Sequence, residues 1–183
     1  MKLKDKYIFR PYNAIFPKLY KLEKIRLQKI LGKDIQIDHI GSTAVPGLGG
    51  KGVIDISVAV PRKDWSDIST KLKNAGYKYK KKDEQREKER LFFMANLSDG
   101  ELGTRIYHIH LTYPESLELK RELGFRDYLN THSEAKEEYA GIKIKAAQEA
   151  QKFKTKDEMR DVYGKIKVNF ILKILKKINK VKS

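Results

Sequence analysis

Between Asn13 and Leu31 apolar residues recur at helical spacing, with Ile15, Leu19, Leu22 and Ile30 on or near one stripe and Gly32 following as a stop. From Ile35 to Ile40 (IQIDHI) the period changes to two, which predicts a strand. Gly41 to Gly52 breaks both patterns: GSTAVPGLGGKG holds five Gly and one Pro and reads as a loop. Val53 to Val60 (VIDISVAV) is β-branched and alternates Asp55 and Ser57 against Ile54, Ile56 and Val58. Pro61 ends that strand, and Asp64 to Gly76 predicts a helix capped by Asp64. A short strand at Tyr77–Lys81, a second candidate at Leu91–Leu97, a turn at Ser98-Asp99-Gly100 and a clear strand at Thr104–Tyr113 (TRIYHIHLTY) follow. Beyond Glu115 the chain looks helical throughout, near 116–130, 134–152 and 156–180.

This order predicts an α+β (mixed α/β) fold, a sheet of about four to six strands covered by helices, with a helical C-terminal third. A length of 183 residues fits one domain spanning 1–183, and no repeat or second-domain boundary interrupts it. With 40% hydrophobic and 35% charged residues, the chain is too apolar for a disordered protein and too charged for a membrane protein. The absence of Cys excludes disulfides, thiolate nucleophiles, zinc–cysteine sites and iron–sulfur clusters. No apolar run follows Met1–Lys6, and none approaches about 18 residues, so the expectation is a cytoplasmic protein without a membrane partner.

A net charge of +16 raises nucleic acid as a partner. Of the 40 basic residues, however, 31 are Lys and 9 are Arg, as AT-rich codon usage gives, whereas bidentate phosphate and base contacts favour Arg. Nucleic acid is therefore open but not favoured. The run from Lys78 to Arg90 mixes signs and reads as a solvated loop or helix end. From Lys165 to Ser183 there are seven Lys and no acid, with Phe170, Ile171, Ile174, Leu175 and Ile178 at helical spacing. That segment is either a basic amphipathic helix at a membrane surface or a terminal helix packed on its own core, and the second reading is preferred.

Chemistry concentrates in the stretch from His39 to Val60. A strand enters a Gly-rich loop and a second strand presents an acid. Gly41 lets backbone approach a ligand, Ser42 and Thr43 bring hydroxyls and N–H groups, and such N–H groups hold phosphate oxygens. The loop is not a P-loop, since Gly52 follows Lys51. Gly-Ser, then 12 residues, then a strand Asp matches the nucleotidyltransferase pattern, in which carboxylates hold two metal ions for phosphoryl displacement. Here Ser57 stands where a second acid is usual, and the later strand offers His108 and His110 on one face instead of an acid. Asp55 with His108 and His110, and His39 as a further candidate, makes a poorer magnesium site than a site for a softer ion such as zinc, manganese or iron.

The residues HIGSTAVPGLGGKGVIDI resemble the signature of the GrpB family (the UPF0157 group). The resemblance continues through YHIHL at 107–111, LGFRDYLNTH at 123–132, Tyr139 with Lys143, and Tyr163, Lys167 and Phe170-Ile171. It implies a nucleotidyltransferase-like fold, a domain that also occurs fused to dephospho-CoA kinases, and no established reaction. Gly52 replaces a usual Pro, and Glu115, Leu119, Asn130 and Ser133 also depart from the pattern.

The expected ligand is a nucleotide or other phosphorylated small molecule, with a divalent metal (magnesium, manganese or zinc). Asp55 is the catalytic candidate. Gly41, Ser42, Thr43, Lys51, Arg105 and Lys167 are the phosphate candidates, and Asp55, His108 and His110 the metal candidates. Each has a plainer alternative. Gly41-Ser42 forms only a turn, Asp55 pairs with Lys51, Arg105 or Lys167, and the histidines hydrogen-bond to sheet neighbours. His39 braces the loop, Lys143 and Lys167 lie at the surface, Trp65 packs, and Arg126-Asp127 is a helix ion pair. Three functions compete: a metal-dependent transferase, a binding module that lost catalysis and holds a nucleotide, a CoA-like ligand or a protein, and a charge-driven RNA binder.

Overall fold

The structure, a computed structural model, describes residues 7–81, 84–98, 100 and 103–181. Met1–Lys6 and Asp99 of the expected turn lie outside the described residues. Helix α1 covers Phe16–Leu31, with Pro17 in its first turn. It stops at Gly32, whose φ of 131° no side-chain-bearing residue adopts readily and whose N–H bonds Gln28 O. Strand β1 (Gln36–Ile40) leads into a 3₁₀ turn at Ser42–Ala44, inside the stretch expected to be loop. Strand β2 (Ile54–Ala59) follows, then a 3₁₀ turn at Arg62–Asp64 and α2 (Trp65–Asn74).

Asp64 does not cap α2 with its side chain. Its backbone is already helical (φ −92°, ψ −5°) because it closes the preceding turn, whereas a capping side chain needs an extended backbone to reach back. Strand β3 (Lys78–Tyr79) precedes α3 (Glu84–Glu89), so part of the mixed charge run forms a short helix, acidic at its start and basic at its end as the helix dipole favours. Strands β4 (Leu91–Ser98) and β5 (Thr104–Thr112) complete the sheet, and α4 (Leu117–Thr131), α5 (Ser133–Ala150) and α6 (Lys156–Val181) follow.

The five strands lie in the order β1-β2-β5-β4-β3. All neighbours are antiparallel except the central pair, β2 and β5, whose parallel pairing needs the long connection through α2. In register Asp55 pairs with His108, Ser57 with His110, and Phe92 on β4 with His110. Alternation then sorts the sheet. Ile54, Ile56, Val58, Phe93, Tyr107, Ile109 and Leu111 form a fully buried face, α1 contacts both β2 and α2, and Leu19 and Leu27 of α1 and Ile68 and Leu72 of α2 are buried. Asp55, Ser57, His108, His110 and Phe92 occupy the other face. Trp65 packs as expected, its indole N–H donating to Val60 O and Thr112 O at the ends of β2 and β5.

The chain divides into two compact units, each built from separated segments. Ala14–Ala44 with Val53–Leu123 contains the sheet. The second unit comprises the residues up to Asn13, Val45–Gly52 and the chain from Gly124 onward. Its interior joins Val45, Leu48, Leu129, Tyr139, Phe170 and Ile174, and a neighbouring cluster gathers Tyr7, Ala146, Ala147, Ala150, Met159 and Tyr163. Phe170 and Ile174 of the basic terminal helix are thus core residues, and among the described residues no helix is long and apolar enough to cross a membrane.

Candidate functional site

Strand alternation carries Asp55, His108 and His110 to one face of the sheet unit. Asp55 Oδ1 lies 2.9 Å from His108 Nδ1 and 3.9 Å from His110 Nε2. The carboxylate and both imidazoles are partly shielded, at 23%, 21% and 12% side-chain exposure. Phe92 sets its ring against both histidines, with centroids 4.8 Å from His108 and 5.5 Å from His110.

Gly41 explains itself through Asp55. A Cβ at Gly41 would stand 2.5 Å from Asp55 Oδ2, and its φ of 71° lies in the left-handed region. The backbone at the entrance to the Ser42–Ala44 turn therefore touches the carboxylate, and only glycine permits the approach. Ser42 opens that turn, and the first N–H groups of a helical turn have no acceptor within it.

Other expected residues are employed differently. The Thr43 hydroxyl is buried, donates to Val53 O at 3.0 Å and lies 3.0 Å from His39 Nε2, so it staples the loop to the start of β2. His39 pairs in register with Ile56 and stacks on Tyr20, on the face opposite Asp55. It braces the loop. Arg105 pairs with Leu97 and shares the alternation of Tyr107 and Ile109, again the face opposite His108 and His110. Its Nε is buried and has no hydrogen-bond partner among the described residues.

Lys51 and Lys167 belong to the second unit. Both ammonium groups lie over the Tyr163 ring, at 5.0 Å and 4.4 Å from its centroid, and Lys51 is also 5.0 Å from that of Tyr7. In the same unit Lys143, expected at the surface, is buried and donates to Gly49 O at 2.5 Å, while Lys136 donates to Pro46 O at 3.2 Å. These lysines, one on each of two turns of α5, hold the carbonyls of the Gly-rich loop. Gly49 has no room for a side chain, because a Cβ would meet Arg10 O at 2.7 Å. Arg126 and Asp127 form the expected ion pair, at 2.7 Å.

The sequence reading missed Glu122, Arg90 and Glu118. Glu122 Oε1 lies 2.7 Å from His110 Nδ1 and 2.5 Å from Arg90 Nη1, and Arg90 Nη1 also reaches Glu118 Oε1 at 3.2 Å. The acid absent from the later strand thus arrives from α4, behind a histidine. The available signal was the Glu118–Glu122 spacing of four, which puts both on one helix face, and Arg90 directly before β4. Asp55 has His108 as a 2.9 Å neighbour, a partner that the strand alternation alone does not name. Ser57, in register with His110, is 1% exposed, and its hydroxyl has no hydrogen-bond partner among the described residues. Among those residues no group of three or more His, Asp or Glu is arranged to hold a metal ion.

Comparison with known proteins places this geometry in context. The family profile described as GrpB protein matches residues 7–177. A UPF0157 protein of Halalkalibacterium halodurans is 31% identical over 174 residues, covering 92% of this chain and 80% of the relative. Coverage of other curated relatives ranges from 38% to 83% of their lengths, so the chain spans well under two thirds of some of them. The crystal structure of GrpB from Enterococcus faecalis superposes with a TM-score of 0.75 at 27% identity, covering 96% of this chain and all of that one. The Cid1 poly(U) polymerase, in a structure bound to MgATP, superposes with a TM-score of 0.54 at 14% identity over 77% of this chain and 45% of that one. The last likeness is one of fold: a nucleotidyltransferase-like sheet and its flanking helices.

Proposed function

The chain belongs to the GrpB family, and from that premise we propose that its sheet unit binds a nucleotide or other phosphorylated small molecule at the Gly41–Ser42 turn, with a divalent ion at Asp55. The observation that carries this reading is the contact of Gly41 with Asp55, which puts anion-binding backbone against a cation-binding carboxylate. The nucleotidyltransferase-like neighbour with MgATP supports the ligand class.

The donor set fits one ion rather than two. Asp55 offers a carboxylate, and His110 directs Nε2 toward it while Nδ1 faces Glu122, the arrangement in which a second carboxylate orients a metal-binding imidazole. His108 donates from Nδ1 to Asp55 and so orients the carboxylate. With Ser57 in place of a second acid, the ligand's own oxygens complete the shell, as they do where a cation meets phosphate. A bound ion would supply charge neutralisation for phosphate. Asp55 and His110 would hold it, and the Ser42 turn would orient the phosphate through backbone N–H groups.

Differential scanning fluorimetry with nucleoside triphosphates and magnesium, manganese or zinc tests this reading. A shift that requires both components and disappears in Asp55→Asn is expected. No shift across the panel would overturn it. Ser57 also favours a second reading, a scaffold that binds without turnover. That reading expects the same nucleotide shift to survive Asp55→Asn, with no product by mass spectrometry.

A further inference from the structure

Two charged groups meet at one atom, His110 Nδ1. Glu122 Oε1 lies 2.7 Å away and Arg90 Nη1 2.5 Å away, and these two pair with each other at 2.5 Å. A guanidinium can only donate and a carboxylate can only accept. They therefore make opposite demands on the imidazole. Glu122 requires a proton on Nδ1, and Arg90 requires a lone pair there. The ring stands 12% exposed against Phe92, so water does not readily replace either partner.

We infer that Glu122 and Arg90 are positioning residues that set which nitrogen of His110 carries its proton. Arg90 already satisfies itself on Glu122 and on Glu118 at 3.2 Å, whereas the Nδ1–H···carboxylate bond is charge-assisted and gains most from the contact. The proton is thereby held on Nδ1, and the Nε2 lone pair is directed toward Asp55 Oδ1, 3.9 Å away. Next to His110 in register and on the same face is Ser57, whose buried hydroxyl has no hydrogen-bond partner among the described residues. The carboxylate that a two-metal strand site would use directly is here used through a histidine. Removing Glu122 leaves Arg90 as the sole neighbour of Nδ1 in this trio, and its demand for a lone pair moves the proton to Nε2. The tautomer assignment stands on its own, and its consequence for cation binding rests on the function proposed above.

The chain has four histidines, so two-bond ¹H–¹⁵N correlations on histidine-labelled protein can resolve each ring, with His110→Gln for assignment. The measurement uses metal-free protein at a pH where the ¹⁵N shifts themselves show neutral rings. Wild-type His110 is expected as the Nδ1–H form, Glu122→Ala as the Nε2–H form, and Glu122→Gln, which keeps an acceptor oxygen, as Nδ1–H. Arg90→Leu is expected to leave Nδ1–H in place. A wild-type Nε2–H tautomer overturns the inference without any variant. A Glu122→Ala protein whose other histidine signals are unchanged but whose His110 remains Nδ1–H overturns it as well. Zinc affinity by calorimetry then separates the two readings. A roughly 10- to 100-fold loss in Glu122→Ala supports both. No zinc binding by wild type, with the tautomers as expected, upholds the positioning role and removes the cation.

Discussion

Gly41 shows how much one missing methyl decides. Gly41→Ala places a Cβ 2.5 Å from Asp55 Oδ2 at a φ of 71°, so the substitution both strains the backbone and displaces the carboxylate. A loss of about 1–3 kcal/mol in urea unfolding is expected, together with loss of any metal–nucleotide thermal shift. Gly76→Ala is the control: its φ is 92° but nothing lies within 4 Å, so it reports backbone strain alone and leaves ligand binding intact. Lys143→Met tests the other unit. It removes the donor to buried Gly49 O, and about 1–3 kcal/mol is expected to disappear from the unfolding free energy. At this scale Gly41 and Asp55 were legible because their residue types have few other reasons to occur in that order. Thr43 was not, since a hydroxyl that binds phosphate and one that ties a loop to β2 look alike until burial separates them. Lys143 was hidden for the same reason, as a lysine on a helix is ordinarily at the surface.

Between elements, a buried and well-satisfied charge links α1 to the segment before β3. Glu23 is 6% exposed, accepts two bonds from Arg26 at 2.8 and 2.7 Å, and accepts the Tyr77 hydroxyl at 2.8 Å. Arg26 also donates to Ala75 O. Burial, and then the Glu23 carboxylate, push the Tyr77 phenol far above its ordinary value. In the unfolded chain that phenol loses its proton near pH 10, while the folded protein keeps it. Between those values the native state binds more protons than the unfolded state, so stability falls as pH rises past about 10. Tyr79, pushed up to about 12 by partial burial and its bond to Glu87, adds to the same slope. Tyr77→Phe is expected to cost about 1 kcal/mol at pH 7 and to flatten, though not abolish, the alkaline decline. Urea midpoints followed from neutral pH to about pH 11 read both effects. The elements themselves were largely legible, because β2 and β5 alternate cleanly and the terminal helices keep their stripes. The insertion of β5 between β2 and β4 was not, since no local pattern specifies a parallel partner. Without that order, His108 could not be set beside Asp55, nor Glu122 behind His110.

On the scale of the whole molecule, the charge of +16 and the charge of the site have opposite senses. Asp55, Glu118 and Glu122 bring three carboxylates to the neighbourhood of His108 and His110, and the Arg90 guanidinium pairs with Glu118 and Glu122. On the reading proposed above, a phosphorylated ligand at this face is held together with a divalent cation, whereas the lysine-rich exterior attracts any polyanion. The two modes of binding are therefore separable by solution conditions. Nucleotide binding at the Gly41–Ser42 turn is expected to vanish with a chelator and to return with added divalent ion, while depending only moderately on sodium chloride. RNA held by surface lysines is expected to ignore the chelator and to weaken steeply with salt, because each phosphate contact releases a condensed counterion. Fluorescence anisotropy with a labelled nucleoside triphosphate and a labelled single-stranded RNA, each titrated with chelator and with salt, distinguishes them. A chelator-insensitive nucleotide signal that tracks the RNA salt response would assign both to the basic exterior and leave the acidic cluster without a phosphate ligand.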